Sequence, residues 1–128
     1  MSPALWLSVA EARRLSQAGS WAVAWLVENR GLEEIAIEES WLPHGQFRAG
    51  RLTLTPPLVL RSGESVLHIR EVAVLAAAGE QVENAFLILR VRHGGNSWRI
   101  FIRTSVESGE DDGLRPIVEN ITADLVRG

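Results

Sequence analysis

The sequence predicts a mainly β domain, a two-sheet antiparallel sandwich of about seven strands with a short N-terminal helix or edge strand. Three observations predict it. Bulky apolar residues alternate with others along several short stretches, as in Trp21, Val23, Trp25 and Val27. Turn-forming clusters separate those stretches, among them Asn29-Arg30-Gly31, Pro43-His44-Gly45 and Ser62-Gly63-Glu64. Finally, Gly94-Gly95 joins two long alternating runs, and two adjacent glycines are a strong signal for a tight hairpin.

Taken in order, Ser8-Val9-Ala10-Glu11 has the form of a capping box and Gly19 supplies a stop, so a helix over residues 9–18 is expected, with an edge strand as the competing reading. Residues 1–19 form that N-terminal segment, and residues 20–128 form the sandwich, one domain in all. The first strand of the sandwich runs to Asn29. A second covers residues 34–42, where Glu38-Glu39 disturbs the alternation and marks a bulge. Pro56-Pro57 stops the segment carrying Leu52 and Leu54, because adjacent prolines cannot sit in a central strand. Val66 to Leu75 is the next strand. Residues 76–83 then form a connection that crosses between sheets.

In the hairpin, a two-residue Gly94-Gly95 turn makes residues face one another in a fixed register: Val91 opposite Trp98, Leu89 opposite Ile100, Leu87 opposite Ile102 and Ala85 opposite Thr104. That row is the expected inside. The acidic stretch Glu107 to Gly113 is read as a solvated loop. Pro116 to Val126 fits both a strand and a helix stripe, and its β-branched Val118, Ile121 and Thr122 favour the strand.

Composition narrows the function. A chain of 128 residues, 46% hydrophobic and 23% charged, can build one core but not two ordinary ones. A net charge of −3 offers no general attraction to phosphate backbones or anionic membranes, so neither nucleic acid nor membrane is an expected partner. With no cysteine, disulfides, thiolate nucleophiles and cysteine metal sites are excluded. No export signal or apolar span is read, and a cytoplasmic location is expected. All 13 basic residues are arginine.

The stretches Trp21 to Asn29, Pro57 to Glu64 and Ala85 to Val106 resemble immunoglobulin-like or fibronectin type III-like modules of bacterial proteins. The resemblance implies a sandwich with Trp25 or Trp41 as the core tryptophan. It implies no site, since such folds host many functions. The cysteine pair and tyrosine corner of antibody domains are missing.

The outer face of the hairpin is the first candidate site, with Arg90, Arg92, Arg99 and Arg103 around Phe86, Ile88 and Phe101. Arg90 faces Arg99 directly. Paired like charges call for acidic neighbours or an anionic partner, and arginine with aromatic residues favours interfaces. A non-catalytic protein-interaction or accessory module is therefore expected, binding a protein partner or a second copy through that face. The bland alternative is that nearby glutamates neutralise the arginines. The second candidate is the loop with His44, Gln46 and Arg48, which would suit a small-ligand site or an unrecognised enzyme. Its bland reading is a turn whose Phe47 plugs the core. His44, His68 and His93 show no metal-ligand spacing, with His68 expected at the surface or a strand end and His93 in the turn. No cofactor motif is present, and no nucleophile elbow or phosphate loop points to an enzyme.

Overall fold

The computed structural model describes residues 2–109 and 113–127. Its elements are β1 (Leu5–Arg14), β2 (Ser20–Asn29), β3 (Ile35–His44), β4 (Phe47–Leu60), β5 (Ser65–Val74), β6 (Gln81–His93), β7 (Asn96–Ser108) and β8 (Leu114–Leu125). All eight strands are antiparallel members of one hydrogen-bonded sheet in the order β1-β2-β5-β4-β3-β6-β7-β8. The sheet curls until its end strands, β1 and β8, lie beside each other. One nearly closed barrel thus replaces the expected two sheets of about seven strands. Strands β3, β4 and β5 follow one another, while β6 returns beside β3, which is Greek-key connectivity.

The N-terminal helix is a second correction, because no residue from 9 to 18 is helical and β1 instead pairs with β2 from Leu5–Asn29 to Arg14–Trp21. Leu5 and Leu7 explain why. Buried on the inner face, they impose a period of two that a helix cannot satisfy. A capping box offers only a few local bonds, whereas the strand gains a ladder and a buried row. The Ser8–Glu11 stretch holds a bulge at Ala10 in place of a cap.

The connection expected over residues 76–83 is also corrected, since β6 already begins at Gln81 and the link from β5 joins strands of one sheet. Much of the remaining pattern holds. Trp21, Val23, Trp25 and Val27 all face inward, and Trp25 is the fully buried tryptophan. Trp41 lies outside, with Arg51 stacked 4.2 Å from its ring centroid. The bulge expected at Glu38-Glu39 is present. The stop expected at Pro56-Pro57 is absent: β4 runs through both prolines to Leu60, and its ladder to β3 accommodates them by passing from Thr53 to Leu58, with a cis Thr55–Pro56 bond. The β6–β7 register is the expected one from Ala85–Thr104 to His93–Asn96. Both turn glycines have positive φ, 57° and 77°, which two-residue hairpins of this kind demand. The final element is a strand, β8. Glu110, Asp111 and Asp112 lie outside the described residues.

The interior is a packed core. Trp25, Phe47, Leu87, Leu89, Ile100 and Ile102 are among its fully buried side chains, and an eight-stranded barrel is just wide enough for side chains to fill. At one end Asn29 pins three segments: its amide nitrogen donates to Glu33 O (2.8 Å) and Leu60 O (2.9 Å), and its Oδ1 accepts from Gly31 N (3.0 Å).

Candidate functional site

The barrel has two places where the ladder fails, and they are built differently. Between β4 and β5 only Phe47–Val74 and Arg48–Ala73 pair. Beyond them the strands part, and polar side chains from β5 cross the gap. Arg70 Nη1 donates to Ser40 O and Ser40 Oγ, each at 2.8 Å, and Nη2 donates to Gly50 O. Ser40 Oγ also lies 2.8 Å from His68 Nε2. An arginine only donates, so the serine hydroxyl accepts from it, while the direction of the Ser40–His68 bond follows the imidazole tautomer. Burial, then the neighbouring Arg70 charge, holds His68 below its ordinary pKa, and burial lowers that of Arg70 as well. His68 is thus an inward, buried residue rather than a surface one.

Between β1 and β8 no ladder forms among the described residues. Backbone groups in an antiparallel pair alternate between facing the partner and facing away. Arg30 N donates to Ala4 O at 2.8 Å, so the even-numbered residues of the first half of β1 turn toward β2. Leu5, Leu7 and Val9 accordingly point their N–H and C=O groups at the seam. On β8, the 2.9 Å bond from Val126 N to Ser97 O turns even-numbered residues toward β7 and leaves Ile121 and Ala123 facing the seam. Glu119 is the extra residue of a bulge, and before it the phase reverses: Gly109 N donates to Gly113 O at 2.7 Å, so Pro116 and Val118 face the seam. Pro116 has no N–H to offer there, which is why a proline is tolerated in β8.

A cleft of about 670 Å³ lies along these lips, lined by residues 2–9 except Ala4 and by residues 116–123, with Ile100 at its floor. Its inner wall is aliphatic: Leu5, Leu7, Val9, Val118, Ile121 and Ala123. Its rim carries Trp6, Ser8, Glu119, Asn120 and Thr122. Trp6 is stacked with Arg30, 4.5 Å from the ring centroid to the guanidinium carbon.

The arginine-rich outer face is arranged as the register requires. One row crosses four strands as Glu39, Arg90, Arg99 and Asp124, acids outside and arginines within. Arg90 lies 3.7 Å from Glu39 and 4.0 Å from Glu38, Arg92 lies 3.9 Å from Glu38, and Arg51 lies 3.3 Å from Glu39. Neighbouring glutamates therefore partner Arg90 and Arg92. The next row is Trp41, Ile88, Phe101 and Thr122, and Phe86 meets Phe101 edge to face at 6.4 Å. Arg99 and Arg103 form no ion pair among the described residues. Phe86, Ile88 and Phe101 are half-buried.

The second sequence candidate is a hairpin turn. His44 Nδ1 accepts from Gln46 N at 3.0 Å, Phe47 is fully buried, and Arg48 lies on β4 opposite Pro43. His44, Gln46 and Arg48 do not line the β1–β8 cleft, and Arg48 lines a second cleft of about 640 Å³ with Pro43, Gly50 and Glu71. The three histidines do not converge: His44 sits at this turn, His68 beside Ser40, and His93 is buried at the end of β6 with Nε2 3.7 Å from Glu33. Sequence reading overlooked the β1–β8 seam. A usable signal was present, namely apolar alternation running back from Val9 to Leu5 and a proline inside a β-branched run, which together mark two edge strands.

Comparison with protein-family models, curated proteins and solved structures finds no match to this chain. The immunoglobulin-like resemblance therefore rests on the sequence pattern alone.

Proposed function

We propose that the protein is a non-catalytic interaction module that takes up an extended polypeptide segment as an added strand at the β1–β8 seam. The observation that carries this reading is a pair of apolar edge strands facing each other with their backbone groups turned inward and unbonded to one another. Strand addition supplies affinity through main-chain bonds and specificity through alternate side chains. Strands β1 and β8 approach within 8 Å, against the roughly 10 Å between strands that flank a third, so the lips part as the added strand pairs with them. A purely apolar ligand in the cleft is disfavoured. Sealing the cleft with it would leave about a dozen peptide groups unpaired, at on the order of 1–3 kcal/mol each.

The finer fold reading supports the same function. The weak β4–β5 junction and the open β1–β8 seam divide the barrel into β1-β2-β5 and β4-β3-β6-β7-β8, three strands against five, a division compatible with an immunoglobulin-like sandwich.

Random dodecapeptides displayed on phage and selected on the protein test this reading. Selected peptides are expected to alternate aliphatic and polar residues, to protect the amides of Leu5, Leu7 and Val9 from hydrogen exchange, and to lose binding to Ala123→Pro, which removes a seam-facing N–H. Peptides that bind Ala123→Pro equally and protect none of these amides overturn it. A second reading, self-association through Phe86, Phe101, Arg99 and Arg103, is favoured by the half-buried aromatic pair beside two arginines that form no ion pair among the described residues. Light scattering of an Arg99→Ala, Phe101→Ala variant tests it, with a monomeric wild type the opposing result.

A further inference from the structure

We infer that the segment accepted at the β1–β8 seam runs parallel to β1 and antiparallel to β8, with its N-terminal end toward Leu5 and Ala123. This rests on the strand-addition reading and gives its partner a direction. Neighbouring strands are antiparallel throughout the order β1-β2-β5-β4-β3-β6-β7-β8, so direction reverses at every step. Across eight strands that makes β1 and β8 antiparallel to each other where the curled sheet brings them side by side. A strand entering between two antiparallel neighbours must be parallel to one of them. The added pairing is therefore mixed, and the difference between the two lips decides which side is which.

On β1 the seam groups come from Leu5, Leu7 and Val9, every second residue, and the bulge at Ala10 lies beyond them. The β8 lip is irregular. Because Glu119 is an extra residue, Val118 and Ile121 both face the seam with two residues between them, where a regular edge has one. The cleft is lined by Leu5 to Val9 and by Pro116 to Ala123, so a segment that pairs with all three β1 residues has to pass this irregularity. Parallel ladders are evenly spaced and rarely hold a bulge, whereas bulges are a regular feature of antiparallel ones. The even lip, β1, therefore takes the parallel side and the bulged lip, β8, the antiparallel side. Leu5 lies opposite Asn29 at one end of the barrel, so the partner's chain enters at that end and leaves at the other, past Val9.

The test uses the blocked peptide Thr-Val-Lys-Val-Lys-Val-Thr, whose lysines serve solubility and whose side chains read the same in both directions, so that only the backbone chooses. A nitroxide is attached through a cysteine added at one end or the other, and amide exchange and paramagnetic broadening are followed in the full chain. Leu5 and Val9 lie roughly 13 Å apart along β1, far enough for a label at one end of the added strand to broaden the nearer amide several-fold more. With Leu5, Leu7 and Val9 protected, the N-terminal label is expected to broaden Leu5 and Ala123, and the C-terminal label Val9 and Val118. Deletion of Glu119 restores a spacing of two along β8 and should bring the two labels toward equal effect on each amide. The opposite pattern in the wild type, or equal broadening by both labels, overturns the inferred direction and leaves strand addition standing, whether or not the deletion variant folds. Selectivity undiminished in the deletion variant overturns the bulge as its source. Failure of the peptide to protect any of the three amides overturns strand addition and this inference together.

Discussion

The two interruptions of the barrel wall differ in what crosses them. At β4–β5 a buried guanidinium reaches over the gap and bonds carbonyl groups on β3 and β4, with His68 and Ser40 completing the network. At β1–β8 the inner wall is aliphatic and no backbone bond crosses among the described residues. The first gap is stitched from within by donors matched to acceptors. The second retains unused donors and acceptors on both sides. Donors matched to acceptors keep the first interruption closed, and the second is the one on which the strand-addition proposal rests.

The largest expected effect belongs to the stitched seam. Arg70→Ala removes three hydrogen bonds and leaves Ser40 O and Gly50 O facing a cavity, which should cost roughly 3–5 kcal/mol in urea denaturation. Arg70→Lys should restore little, because one ammonium cannot reproduce a fork spanning Ser40 and Gly50. A loss below about 1 kcal/mol for Arg70→Ala would mean the ladder alone holds this side, erasing the contrast.

Next comes a pair of prolines in β8. Thr122 faces Phe101 with its backbone turned toward β7, so Thr122→Pro breaks a ladder bond and should cost about 2 kcal/mol. Ala123→Pro, one residue on, removes an N–H that faces the seam and should cost less than about 1 kcal/mol. Equal losses, read from denaturation midpoints, would show that the seam amides are already engaged.

Acid should weaken the stitched seam and spare the open one. His68 has its native pKa held below the ordinary value near 6.5 by burial and then by Arg70, so the unfolded chain binds the proton more readily. Stability therefore rises with pH through this window. It is fully present above about pH 6.5 and falls as pH drops below that, with a slope of at most about 1.4 kcal/mol per pH unit, until the native imidazole also protonates. His68→Gln, which keeps a hydrogen-bonding partner for Ser40 without a titrating ring, should flatten that part of the stability profile. A slope unchanged in the variant would assign the acid sensitivity to other groups.

These seams were unequally legible in the sequence. The β6–β7 register followed from Gly94-Gly95 because the turn fixes the pairing and alternation fixes the face. In β5 the alternation misleads: Leu67 and Ile69 are 53% and 60% exposed, while His68 and Arg70 point inward. Val72 and Val74 set that phase, and period two carried back from them places both polar residues inside. What no local pattern reveals is the acceptor set for Arg70, which comes from strands 20 and 30 residues away. Similarly, Ser8-Val9-Ala10-Glu11 looks like a helix start in isolation, and only the β2 ladder makes it a strand with a bulge. The open cleft depends on the first and last strands meeting, a global property of the sheet.

The smallest effect is expected where the wall is continuous. Across β3, β6, β7 and β8 the row Glu39, Arg90, Arg99, Asp124 balances two acids against two arginines. Removing Arg99 relieves its repulsion with Arg90 and leaves Asp124 without an opposite charge, so the two terms offset. Arg99→Ala should therefore shift stability by no more than about 0.5 kcal/mol in either direction. Glu39→Gln, by contrast, removes the partner of both Arg90 (3.7 Å) and Arg51 (3.3 Å), and should cost up to about 1 kcal/mol at low salt, less at high salt. Because an unbroken ladder already holds these strands, neither change should approach the Arg70→Ala loss. A large, salt-independent loss for Arg99→Ala would instead make this face an energetic partner of the fold and move attention from the seam to the sheet surface.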